Sequence, residues 1–197
     1  MKKIIKKLLE SPPCPGLVTK NGVGKESSPE IGEMRDVLQV AAGKKPLAAL
    51  TFSKQKIKGN NAQIEIMKYA NEKGVKYITQ PKIRSNNYLR SVFYLPETKD
   101  SKKRAVALLT LLHLPVPENI YKYMHAGIGL LLGYKKNNII AFYERNFEKN
   151  MHLTNTLLDK YEKTLEAWIN RSIDPNSHVF KESNSINVNH FKPSRLA

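Results

Sequence analysis

Cysteine is nearly absent: Cys14 is the only one in 197 residues, so no intramolecular disulfide can form and a thiolate zinc site within one chain is excluded. A reducing compartment follows as the expectation, cytoplasmic or inside a virion if the protein is viral. Long apolar runs are lacking too, since the longest, Ala105 to Leu114, is about half of the ~20 residues that a membrane span needs. No transmembrane segment is expected. The first ten residues interrupt their apolar stretch after two positions and no small-residue cleavage site follows, which argues against secretion. Arginine is scarce, with 7 against 26 lysines, and arginine is the residue suited to bidentate reading of guanine or phosphate. Attraction to an acidic backbone is favoured over base reading.

What the chain has in excess is positive charge, and its distribution is uneven. The formal net charge is +16, and residues 44 to 104 carry 15 Lys or Arg against Glu65, Glu72, Glu97 and Asp100. That stretch alone holds +11, with +2 before it and +3 after it. Such a field concentrates polyanions and speeds their encounter, so the leading partner classes are nucleic acid, an anionic membrane face or an acidic protein surface, of which the first and last are the expected partners. With 41% hydrophobic residues the chain can also bury a core and is no disordered basic tail.

Apolar spacing divides the chain into four parts. Residues 1–28 read as a short amphipathic helix, with Ile4, Ile5, Leu8 and Leu9 recurring among lysines and docking on the body or on a neighbouring subunit, with a membrane surface as the alternative, followed by an arm rich in Pro, Gly and Ser. Residues 29–104 read as a basic α-β-α-β-β module. Its elements are a helix from Pro29 to Ala42, a strand over 46–53, a helix presenting Ile64, Met67, Lys68 and Ala70, and strands over 75–80 and 88–95. In the last strand Arg90, Val92 and Tyr94 share one face. Residues 105–171 read as about four helices. The first is capped by Ser101, the second runs unbroken from Pro117 through Ile120, Met124, Ile128 and Leu131, and two more cover 137–147 and 153–171. Residues 172–197 form a polar extended tail that Val179, Phe180 and Phe191 could hold down.

The chemical motifs are incomplete. Val23-Gly-Lys-Glu26 lacks the first glycine of a phosphate-binding loop, where Thr19 stands, and its hydroxyl, where Glu26 stands. Gly127-Ile-Gly129 falls inside a helix, so close helix packing accounts for it better than a dinucleotide turn. His152-Leu-Thr154 has the HxT form that two-histidine phosphoesterases use twice, and the second copy is missing. No His pair has metal-ligand spacing and the strands carry no paired carboxylates, so neither a metal nor another cofactor is expected.

The expected fold is α+β, a small basic sheet module of about three strands and one or two helices packed on a bundle of about four helices. The expected role is non-catalytic: binding nucleic acid through its phosphates, or serving as a structural subunit, homo- or hetero-oligomeric, of a virion-like or ribonucleoprotein assembly. The cationic residues expected at the interface are Lys54, Lys56, Lys58, Lys82, Arg84, Arg90, Lys102, Lys103 and Arg104. Lys102, Lys103 and Arg104 load the start of a helix against its macrodipole, which a nearby polyanion would offset. The enzymatic alternative puts an anionic substrate between these residues and His125 or Tyr134.

Overall fold

A computed structural model describes residues 5, 31–53, 57–59, 61–79, 88–146, 152–184 and 191–193. Helix α1 (Ile31–Ala41) buries Met34, Val37, Leu38 and Ala41 at the i, i+3, i+4, i+7 spacing of a single stripe. It stops where Gly43 takes φ 69° and the N–H of Lys44 reaches back to the carbonyl of Gln39. Strand β1 (Leu47–Ser53) follows, then the short β2 (Ile57–Gly59) and α2 (Asn61–Glu72). The buried positions of α2 are Ile66, Met67 and Ala70; Lys68, expected on that face, is exposed beside Glu65. Strands β3 (Lys76–Thr79) and β4 (Tyr88–Tyr94) complete the run.

The main sheet is antiparallel throughout, in the order β1-β4-β3-β5, and its fourth strand comes from the tail: β5 is Lys181–Ser183. A second tail strand, β6 (Phe191–Pro193), pairs with β2 in parallel. The tail is thus part of the sheets. Ile173 and Phe180, both buried in the main core, hold its first half against the body.

Alternation along each strand divides the sheet into two apolar faces. Ala48, Leu50 and Phe93 face α1 and α2, and Ile5, the described residue of the amino-terminal segment, is helical and buried in the same cluster. Leu47, Ile78, Val92 and Tyr94 face the opposite way, against α3 (Ser101–His113). Because α3 lies between the sheet and the remaining helices, it is apolar nearly all round, with Ala105, Val106, Ala107, Leu108, Leu109 and Leu111 buried. Ser101 is its first residue and not its cap. Asp100 occupies the cap position at φ 57°, while the Ser101 hydroxyl donates to the carbonyl of Leu95 at 2.7 Å.

The bundle comprises α4 (Glu118–Tyr121), α5 (Met124–Leu131), α6 (Lys136–Asn146) and α7 (Asn155–Ser172). The expected single helix from Pro117 is broken at Lys122 and Tyr123, and two tyrosines from elsewhere satisfy the backbone groups around the break. Tyr161 donates its hydroxyl to the carbonyl of Ile120 at 2.9 Å, and Tyr143 accepts the N–H of Ala126 at 3.1 Å. Gly127 leaves room for this arrangement, since a Cβ there would lie 2.7 Å from the Tyr161 hydroxyl. Gly129 likewise admits Ile139, so the Gly-x-Gly pair serves helix packing. Thr154 caps α7 by accepting the N–H of Leu157 at 3.2 Å.

Candidate nucleic-acid interface

The strand register shows where the cationic stretches meet the sheet. Ser53, the last residue of β1, is paired with Tyr88, the first of β4, and Thr79, the last of β3, is paired with Ser91. The connection after β1 and the connection between β3 and β4 therefore both leave the same end of the sheet. The first contains Lys54 and Lys56, and the second contains Lys82 and Arg84. These four lie outside the described residues, as does the side chain of Lys58, whose backbone is in β2. No Asp or Glu occurs in residues 53–64 or 76–96, so the segments at this end bring no compensating charge of their own.

Arg90 is the next residue inward. It is half-buried on the face that carries Val92 and Tyr94, and its charge is felt by His113 at the end of α3. Nε2 of His113 is buried with no hydrogen-bond partner among the described residues. Burial lowers the pKa of this imidazole, and the Arg90 guanidinium lowers it further. Since the unfolded chain takes up this proton first as pH falls through about 6.5, stability is full above that value and declines below it. The urea midpoint should therefore drop between pH 7.5 and 5.5, and the drop should shrink in His113→Gln. An equal drop in wild type and variant would show that His113 does not couple to folding.

Lys102, Lys103 and Arg104 have partners within the chain. The Lys102 ammonium lies 2.8 Å from Glu182 of β5 and Arg104 pairs with Glu166 of α7. Lys103 donates to the carbonyl of Asn170 at 3.1 Å, one of the last carbonyls of α7, where a cation is favoured by the helix dipole. The charge at the start of α3 is thus met by α7 and the tail. Sequence alone could not show this, because the partners are 62 to 80 residues away.

Glu182 also accepts a hydrogen bond from Tyr94, whose ring is fully buried. Burial alone would raise the Glu182 carboxyl, but the hydrogen bonds from Lys102 and Tyr94, with the charges of Lys102 and Lys76, hold it below its ordinary range. Burial first, and then Glu182, pushes the Tyr94 phenol upward. The phenol stays a neutral donor.

His125 and Tyr134 lie at opposite ends of α5 and take different neighbours. The ring of His125, solvent-exposed yet desolvated enough to lower its pKa, stands 6.2 Å from that of Phe142. Tyr134 donates to Asp36 at 3.3 Å, and Lys45, 2.6 Å from the same carboxylate, sits 4.2 Å above its ring. That cluster fastens the α5–α6 turn to the start of β1. A separate cleft of about 260 Å³ lies between α4 and α7, lined by Pro117, Asn119, Thr164, Trp168 and Arg171 among others. It gathers no acid and base pair.

Among the described residues no group of three His, Cys, Asp or Glu is placed to hold a metal ion, and no helix is long and apolar enough to cross a membrane. No protein-family model, curated protein or solved structure matches this chain.

Proposed function

We propose that the protein binds nucleic acid without catalysis, through the phosphate backbone, at the end of the sheet where β1 and β3 finish and β4 begins. The observation that carries this reading is the register, which brings the connections holding Lys54, Lys56, Lys82 and Arg84 to one end of one sheet, with Arg90 next to them. Two lysine-bearing connections that leave one end of one sheet and contain no acid favour a local field over a merely basic composition. Lysine in place of arginine favours phosphate attraction over base reading, so sequence preference should be slight. Lys102, Lys103 and Arg104 are assigned to structure.

The test is a salt titration of wild-type binding to single-stranded oligonucleotides of different sequence. With five to seven contacts at about 0.7 each, log K should fall against log salt with a slope of about −3.5 to −5, nearly the same for each sequence. Affinity that stays constant between low and physiological salt would overturn the proposal.

A further inference from the structure

We infer that the cleft between α4 and α7 is a binding site for one nucleotide, its base lying on Trp168 and its phosphate meeting Arg171. The inference uses neither the sheet end nor the basic connections, so it stands or falls apart from the interface proposed above.

One stripe of α7 builds the cleft. Thr164, Trp168 and Arg171 recur at the i, i+4, i+7 spacing that puts side chains on one side of a helix, and Pro117, Asn119 and Ile120 line it from α4 and its cap. Trp168 is half-buried and packs on the main core, which fixes the indole while part of its surface is left to the cleft. A platform held in this way loses little entropy when a flat ring settles on it. Among the described residues the indole meets no other ring or cation, and its N–H has no partner.

The polar groups around it are equally unengaged. Among the described residues neither the Arg171 guanidinium, the Asn119 side-chain amide nor the Ser172 hydroxyl has a hydrogen-bond or ion-pair partner. Arg171 differs in this from Lys103 and Arg104, which α7 engages through the Asn170 carbonyl and Glu166. The cleft is lined by one cation and no carboxylate, so the charge that complements it is negative.

Size narrows the ligand further. At about 260 Å³ the cleft falls below the roughly 300 to 1,000 Å³ of pockets that enclose a whole drug-sized molecule. One flat ring fits, with the remainder outside. Arg171 lies about 4.5 Å beyond Trp168 along the helix axis, and its long side chain spans what separates a stacked base from the phosphate across its sugar. The Asn119 amide can both donate and accept, as the edge of a base does, and Ser172 adds a hydroxyl next in sequence to the guanidinium. A flat ring with a hydrogen-bonding edge and an attached anion is a nucleotide, free or as one unit of a single strand.

Trp168 is the only tryptophan, so its fluorescence in the full chain, excited at the red edge where tyrosine and bases do not absorb, reports this cleft alone. Titration with dAMP should quench it saturably, and deoxyadenosine, which lacks the phosphate, should bind roughly 3- to 10-fold more weakly. Arg171→Gln should lower the affinity for dAMP by the same factor and leave that for deoxyadenosine unchanged. Trp168→Leu keeps an apolar side chain against the core and should weaken dAMP roughly 5- to 150-fold by calorimetry. If that variant melts early, Arg171→Gln decides, since the position is exposed. A ten-nucleotide oligo(dA) distinguishes the two sources of the same chemistry: tighter binding than dAMP supports the site as one for a strand, equal binding as one for a free nucleotide. Quenching that rises linearly with concentration, or equal affinities for dAMP and deoxyadenosine, would overturn the inference. Salt-dependent oligonucleotide binding that leaves Trp168 fluorescence unchanged would overturn the cleft alone, whereas saturable quenching by dAMP without salt-dependent strand binding would overturn the sheet-end interface and keep the cleft.

Discussion

Replacing Lys54, Lys56, Lys58, Lys82 and Arg84 by Gln should weaken binding of a single-stranded oligonucleotide by about three orders of magnitude at 0.1 M salt and flatten its salt dependence, leaving the melting temperature nearly unchanged. The size follows from five contacts at about 0.7 each in the slope of log K against log salt. Replacing Lys102, Lys103 and Arg104 by Gln should do the reverse. Those three meet Glu182, the end of α7 and Glu166. Each pair is partly exposed and contributes about 0.2 to 1 kcal/mol, with the helix-end contact of Lys103 in the same range, so the triple variant should lose about 1 to 3 kcal/mol of stability. Its salt slope should match the wild type. Anisotropy titrations and urea unfolding on both variants separate the two roles. A triple variant that keeps its stability but loses binding would return the α3 residues to the interface and remove the sheet end from it.

Gly133→Ala should destabilise the protein by about 2 to 5 kcal/mol, the largest effect expected of so small a change. Gly133 has φ 76°, where an L side chain costs about 1 to 2 kcal/mol. A Cβ there would also lie 2.6 Å from Cδ of Pro46, and relieving such a contact in packed surroundings costs about 1 to 3 kcal/mol more. The proline ring cannot swing aside. It immediately precedes β1 and follows Lys45, whose bond to Asp36 and stacking on Tyr134 hold the same junction. Gly43 and Gly74 provide the comparison, since both have positive φ but nothing within 4 Å of the place a Cβ would take. Alanine at either should cost only the backbone strain, about 1 to 2 kcal/mol. Chemical denaturation of the three variants tests this. Equal losses at all three would mean that the contact between the α5–α6 turn and Pro46 contributes nothing.

The α+β class and most element positions were legible in the sequence, because period and punctuation act locally. Gly43 and Gly74 end helices, and the alternation of β4 puts Arg90 on the side of Val92 and Tyr94. The concentration of lysine between residues 44 and 104 was equally plain. Other features depend on groups distant in sequence. The break at Lys122 and Tyr123 interrupts an apolar period that reads as continuous, and it is satisfied by the hydroxyls of Tyr143 and Tyr161. No local propensity could indicate those partners.

From its own composition and spacing, then, the chain determines that it is a basic α+β protein with a helical carboxy-terminal half and a lysine-rich middle. The tertiary structure alone shows which connections leave the sheet at the same end. Pairing of Ser53 with Tyr88 and of Thr79 with Ser91 brings two basic connections to one end of the sheet, and pairing with β3 and β2 brings in the tail. Packing of α3 against α7 and β5 meanwhile gives Lys102, Lys103 and Arg104, three of the nine cations expected at the interface, partners in Glu182, the Asn170 carbonyl and Glu166. The physical reason is range. Backbone preference and helix or strand period act over a few residues, whereas a charge is engaged or available according to which carboxylate or carbonyl the fold brings within about 4 Å of it.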